Sequence, residues 1–457
     1  MGKRILLPKN LDLHQLLEEN PPTYSFRQDH FAYIIYLILH LSGRQKEQKV
    51  VDGWTALSIT ALKDQGIAQA SKILTHLEEE LGVIECDHKY KPGEKCMWYR
   101  LAPPYREIGF QEYTITQSAF IKRLKKNELE HKQTAKQHRH LTKHFNENLT
   151  IDADAAIHTI NAQYEEQIAL PPEERKKNKK NKPKDPYTVY TSAYTAIHKF
   201  SEQSFSYSVS DSNKRLNTNL TSIPKIVRPH ITYSGEPLAN LDISNSQPFL
   251  SLVLLQPWFY ETNTSNQKEG KINFSCISPQ VRQAIPMLSH TSHNATSPLM
   301  LLKTSELTDN EVVMNYKHLV CSGKLYDHIL QEMNNPTMTR DDVKRDFLRA
   351  MYSDNRFTQC PVKRMFRELF PEVYQLFALY KRKNKKAFPI ALQQIEATLI
   401  LDRVSKRIAR EFPGLPIYTI HDSVVTLMAY RKRIQQIMEE EIETAIGFKP
   451  SFGEEWL

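Results

Sequence analysis

Ten residues toward the C-terminus constrain this chain more than any others. Ile417–Thr426 reads Ile-Tyr-Thr-Ile-His-Asp-Ser-Val-Val-Thr, with β-branched and aromatic residues on both sides of a polar trio. That composition favours an extended chain, and Gly414 and Pro416 punctuate its approach. His421-Asp422-Ser423 therefore suits the tip of a β-hairpin. A carboxylate held there between buried strands has little freedom and can be aimed at a metal ion. Taken alone, the stretch is satisfied by an ordinary turn aspartate. A second stretch, Leu241–Leu250, shifts the balance: it again sets one carboxylate, Asp242, at the end of an apolar segment, before a polar turn and a helix-like run. Two such acids converging on one sheet would make a divalent-metal site.

With 457 residues the chain has room for two to four domains with sizeable cores. No apolar run approaches the length of a membrane span, and His30–Leu41, apolar but short, reads as a buried helix. The N-terminus lacks a signal-peptide pattern. Five scattered cysteines point to a reducing cytoplasm rather than a disulfide scaffold. Cys86 and Cys96 are expected to face each other across one hairpin, without a second pair to complete a zinc site. A net charge of +9 directs attention to a polyanionic partner, nucleic acid first. Neither a P-loop nor a dinucleotide fingerprint is present.

In chain order, a polar segment (1–26) precedes a compact unit at 27–105. That unit shows an apolar helix at His30–Leu41, a short one at Leu57–Lys63, and a longer one at Ile67–Leu81 with Ile73, Leu74, Leu77 and Leu81 inward. Gly82 stops the last helix. Strands at Val83–Tyr90 and Cys96–Leu101 follow, joined by Lys91-Pro92-Gly93-Glu94-Lys95. This order resembles a winged helix-turn-helix domain. The resemblance implies that Gln69, Lys72, Thr75 and His76 face the major groove, while Lys89, Lys91, Lys95 and Arg100 touch phosphates. A protein-docking use of the same domain stays open. Residues 106–186 form a basic region. It holds a helix at Phe120–His144, whose His140 and His144 read as part of a solvated basic face, and a lysine-rich linker at Pro171–Pro186; together they could serve as a thumb. Residues 187–457 read as one continuous unit.

That unit carries three ordered motifs. The first runs Lys214-Arg215-Leu216-Asn217-Thr218-Asn219-Leu220, Ile223-Pro224, Arg228, then Asp242-Ile243-Ser244-Asn245-Ser246-Gln247. The second is Thr339–Asn355, a helix opened by a capping-box pattern, with Arg340, Lys344, Leu348 and Tyr352 on one side and Val343, Phe347 and Met351 on the other. The third is a helix at Phe388–Ala409 with Gln393, Gln394 and Glu396 available to a cleft, followed by His421-Asp422. Together with Gly447, Pro450, Gly453-Glu454 and Trp456, these resemble motifs A, B and C of family A DNA polymerases and phage-type single-subunit RNA polymerases. The chain departs from the family at Lys214, where Gly is usual, and at Leu348, Ser353 and Ser423.

The resemblance implies an α+β fold: a right-hand palm built on an antiparallel sheet, with helical fingers and a reduced helical thumb. It implies a template-directed nucleotidyltransferase with two Mg²⁺ ions, Mn²⁺ being able to replace them, held by Asp242, Asp422 and the Ile243 carbonyl. Arg340 and Lys344 would bind the triphosphate, and Leu348, Tyr352 and Gln247 would surround the incoming nucleotide. Arg215, Arg228, Gln393, Gln394 and His421 would contact primer and template. Gln247, where the DNA enzymes carry Glu and the RNA enzymes Gly, favours DNA synthesis, and a DNA-reading domain fused to a compact polymerase points by analogy to replication of a plasmid, phage or mobile element. An RNA polymerase or primase is the nearest alternative, and a non-catalytic DNA-binding initiator is the third.

Overall fold

The computed structural model describes residues 2–42, 53–91, 94–126, 128–175, 183–261, 269–285 and 310–457. The protein mixes helices with antiparallel sheet and divides into two compact units. The first comprises 1–136, 149–206 and 222–232, and the second 137–148, 207–221 and 233–457. The expected boundaries after 26, 105 and 186 do not separate these units. Strand Lys3–Pro8 pairs antiparallel with Phe110–Ile115, which builds the N-terminal segment into the first unit. Helix Pro186–Ser201 belongs there too.

In the first unit, helix Gln28–Ser42 buries Phe31, Ala32, Ile34, Ile35 and Ile38 completely or nearly so. Helix Ile59–Asp64 starts at Ser58, whose side chain accepts from the Ala61 N–H. Helix Ala70–Thr75 continues through a π-turn, His76–Glu80, and Gly82 leaves it in the left-handed region at φ +59°. Ile73, Leu74, Leu77 and Leu81 face the core as the periodicity requires. The strands are shorter than their composition promises: Ile84–Cys86 and Trp98–Leu101, with Thr55–Ala56 on the other side of Trp98–Leu101. The pairing places Cys86 opposite Tyr99, so the expected Cys86–Cys96 juxtaposition is wrong, and both thiols are free. The basic run Phe120–His144 is interrupted at His138: Ser118–Lys126 and Glu128–Gln137, on either side of residue 127, which lies outside the described residues, precede the short helix Arg139–Thr142. Much of the lysine-rich linker, 176–182, lies outside the described residues.

The second unit is organised around strand Glu236–Ile243. Leu238, Ala239, Asn240 and Leu241 are all buried, because the strand has a neighbour on each side. Ser423–Leu427 pairs along one edge and Phe452–Trp456 along the other, both antiparallel. The first of these is the return arm of the hairpin from Ile417–Ile420. Helix Arg340–Tyr352 opens on a complete capping box between Thr339 and Asp342. Its Val343, Phe347 and Met351 enter the same apolar core as Phe388, Leu392 and Ile395 of helix Ala387–Ala397. Helical residues run without a gap from Ala387 to Glu411 and span the expected Phe388–Ala409. The middle of that run, Thr398–Val404, is π-helical, and α-helical geometry resumes at Ser405–Glu411. Helix Arg431–Ile446 ends at Gly447, in the left-handed region at φ +85°.

Candidate active site

The hairpin at 417–427 closes through two residues, His421 and Asp422, with Ile420 opposite Ser423. His421 takes a left-handed conformation at φ +59°, which such a tight turn requires. Ser423 buries its hydroxyl by donating to the Ile420 carbonyl at 3.0 Å. Across the strand pair, Ser423 is the register partner of Asp242, whose other neighbour is Gly453. Asp422 therefore sits in the turn one residue before the register partner of Asp242, at the end of the sheet where both strands meet polar turns. Both are half-buried. After Asp242 the chain turns through Asn245, at φ +51°, and the Ser244 N–H donates to the Ser451 carbonyl at 2.9 Å. The side chains of Asp242 and Asp422 and the carbonyl of Ile243 offer only hard oxygens, the ligand type that Mg²⁺ or Mn²⁺ takes in preference to a soft metal.

A hydrogen-bonded network lies in the electrostatic field of Asp422. Its hub is Glu396, 1% exposed, on helix Ala387–Ala397. Arg215 grips it with both arms, Nε to Oε1 at 2.7 Å and Nη2 to Oε2 at 2.5 Å. Gln247 Nε2 donates to Oε2 at 2.8 Å, and the Tyr352 hydroxyl donates to Gln247 Oε1 at 2.9 Å. Burial pushes the Glu396 carboxyl up to about 7; Arg215 and Gln247 oppose that rise and the negative charge of Asp422 adds to it. Burial also raises the Tyr352 phenol, so it stays protonated as a donor. Arg215 enters the site from a tight turn in which Lys214 adopts φ +60° and its N–H donates to the Ser210 carbonyl at 2.9 Å. The turn thus keeps the left-handed geometry that Gly would supply, at a steric cost of order 1 kcal/mol.

Helix Arg340–Tyr352 brings its stripe to the surface as expected: Arg340 and Lys344 are exposed, Leu348 and Tyr352 half-buried. Arg340 Nε pairs with Asp327 at 3.0 Å, and its guanidinium lies over the Tyr326 ring. The helix C-terminus is held by two buried lysines. Lys381 Nζ donates to the Ala350 carbonyl at 3.3 Å. Lys363 Nζ reaches the Asp354 and Phe357 carbonyls at 2.7 and 2.8 Å. Cations there complement the helix dipole. Burial, together with the charge of Lys363, drives the Lys381 ammonium down to about 7.

Other expected site residues fall elsewhere. Gln394 is buried and its amide is consumed locally: Nε2 donates to the Ser212 carbonyl at 2.5 Å, and Oε1 accepts from the Ser278 N–H at 2.7 Å. It braces the fold and does not reach for primer or template, whereas Gln393 is half-exposed. His421 is half-buried in the hairpin turn beside Asp422. Arg228 belongs to the first unit, on the 3₁₀ turn Lys225–His230. Also in the first unit, Lys72 and Thr75 are exposed and Gln69 half-exposed, but His76 is 8% exposed. The His76 Nε2 sits 2.9 Å from the Asn20 carbonyl and its ring meets Phe31 and Tyr24 edge-on, so it is a core residue and does not face a groove. The basic strands are partly neutralised: Lys91 pairs with Glu94, Lys95 with Asp87 and Arg100 with Glu85.

Glu396 is buried and not open to a cleft, against expectation. One sequence signal marks that burial. Leu392 and Ile400 flank it at four-residue spacing, a position that a helix otherwise buries among apolar neighbours. No protein-family model and no curated protein matches this chain. Among solved structures, the POL domain of Pol1 from M. smegmatis in complex with DNA primer-template and dNTP is similar at 11% sequence identity. The match spans 74% of this chain and 72% of that one, with a TM-score of 0.32. A likeness this distant carries no argument about fold or activity.

Proposed function

We propose that the second unit is the palm and fingers of a template-directed nucleotidyltransferase that extends DNA from deoxynucleoside triphosphates. The observation that carries this reading is the convergence of distant residues. Asp422 lies in the hairpin turn next to Ser423, the strand partner of Asp242, and Arg215, Gln247 and Tyr352 join one network in the field of Asp422. A fold with no common use for them would have little reason to gather residues 149 and 181 positions apart around one buried carboxylate.

Asp242, Asp422 and the Ile243 carbonyl would hold two Mg²⁺ ions. When bound, these supply charge stabilisation to the attacking and leaving oxygens of an in-line displacement at the α-phosphate. Lys344 and Arg340 would hold the β- and γ-phosphates. To do so Arg340 exchanges its ion pair with Asp327, a change of small cost because both partners are about half exposed, at 45% and 53%. Tyr352 would stack beside the nascent base pair, and Gln247 would stand against the sugar. Arg215 and His421 would steady the primer end, and Gln393, the half-exposed member of the glutamine pair, would be the one to contact primer or template. The first unit, on this reading, binds duplex DNA as a winged helix through Lys72, Thr75 and Gln69, with Lys89 and Lys91 near phosphates.

The test is extension of a labelled primer on a DNA template, with deoxy- and ribonucleotides supplied separately and an unprimed reaction alongside. Wild type should extend with deoxynucleotides, and Asp422→Asn should abolish extension while leaving duplex binding intact. Full extension by Asp422→Asn would sink the assignment.

A further inference from the structure

Glu396 touches two of the residues proposed to meet the primer and the nucleotide, without being placed against either itself. When ionised, as it is above about pH 7, the Glu396 carboxylate only accepts hydrogen bonds, and the Tyr352 hydroxyl donates to the opposite end of the Gln247 amide. Those two partners leave Gln247 one orientation, NH₂ toward Glu396 and carbonyl toward Tyr352. A flipped amide would set oxygen against carboxylate. The same carboxylate is clamped by Arg215, so it cannot swing to follow a moving partner.

We infer that Glu396 is the positioning residue for sugar selection: by fixing both the rotamer and the amide orientation of Gln247, it sets how much room a nucleotide finds beside its 2′-carbon. This rests on reading the second unit as a nucleotidyltransferase. It goes beyond that reading because it assigns selectivity to the anchor and not to the bulk of Gln247 alone. An anchored amide is a wall, and an unanchored one of the same size swings aside for a ribose hydroxyl.

The anchor can be removed with little change of shape. Glu396→Gln keeps the volume but loses the charge and one accepting oxygen, so Gln247 can turn. Tyr352→Phe releases the other end of the same amide and keeps the ring. The exchange variant Gln247→Glu with Glu396→Gln restores a carboxylate–amide hydrogen bond with its polarity reversed, still open to the Tyr352 hydroxyl.

The experiment measures kcat/KM for one deoxynucleotide and its ribonucleotide in wild type and these variants at a pH well above 7, where Glu396 is ionised, with thermal melts to verify folding. Glu396→Gln is expected to lower the deoxy-to-ribo ratio about tenfold, the size of one charge-assisted hydrogen bond. The change should come through a lower KM for the ribonucleotide. Tyr352→Phe should relax selection in the same direction, and the exchange variant should recover most of it. A folded Glu396→Gln that keeps the wild-type ratio overturns this inference alone. So does loss of the ratio without recovery in the exchange variant, since Glu396 would then act through packing. If Glu396→Gln does not fold, Tyr352→Phe decides by the same ratio. Should wild type bind but not incorporate nucleotides, the ratio of the two dissociation constants is read instead; wild type that neither binds nor incorporates them overturns both readings.

Discussion

Replacing Glu396 by Gln should change how stability depends on pH, and the sign follows from its surroundings. Its carboxyl is raised from 4.5 to about 7 in the folded protein, with burial the largest cause. A raised carboxyl binds its proton more tightly folded than unfolded. Its contribution to stability is therefore complete below pH 4.5 and is lost as pH climbs through about 7. A shift of about 2.5 units corresponds to roughly 3 kcal/mol. The charged and titratable groups facing it are Arg215, Asp422 and Tyr352. The substituted amide mimics the protonated acid at every pH. Wild type should thus lose about 3 kcal/mol relative to Glu396→Gln between roughly pH 4.5 and 8. Urea unfolding of both proteins at matched pH values, without divalent ions, lets the other titrating groups cancel in the difference. A difference that stays flat, or that moves in favour of wild type as pH rises, would refute the reasoning, because the Arg215 clamp would then outweigh the cost of burial.

Further outcomes can be checked independently. Lys363→Met should cost about 2–3 kcal/mol, because it strips a charged donor from several carbonyls beyond the Arg340–Tyr352 helix; the loss is read from the urea midpoint. Gln247→Gly should relax sugar selection at least as far as Glu396→Gln, measured as the deoxy-to-ribo ratio. In the first unit, Lys72→Ala should weaken duplex binding and reduce the salt slope by about one, while leaving the melting temperature unchanged. His76→Ala should do the reverse. It lowers stability by about 1–3 kcal/mol, and the surviving folded protein binds DNA with the wild-type salt slope.

Local pattern carried much of this protein. The hairpin tip at His421-Asp422 follows from β-branched runs broken by a polar trio, and the Thr339 start of the stripe-bearing helix follows from its capping box. Both depend on neighbours a few residues away, where propensity and side-chain capping act. The same is true of the buried face of Ile67–Leu81 and of the stop at Gly82.

What the chain could not disclose locally were the partners that meet from far away. Strand pairing put Cys86 opposite Tyr99 and Asp242 beside both Ser423 and Gly453, and register is settled by turns and core packing, not by composition. His76 and Gln394 look like polar residues ready for DNA, yet each is consumed by a neighbour distant in sequence, the Asn20 carbonyl in one case and Ser212 and Ser278 in the other. Glu396 shows the division most clearly. Its identity is written in the chain, but its role comes from burial that raises its proton affinity and from three side chains delivered by separate elements. Burial and long-range contact are properties of the packed chain, so only the tertiary structure could decide them.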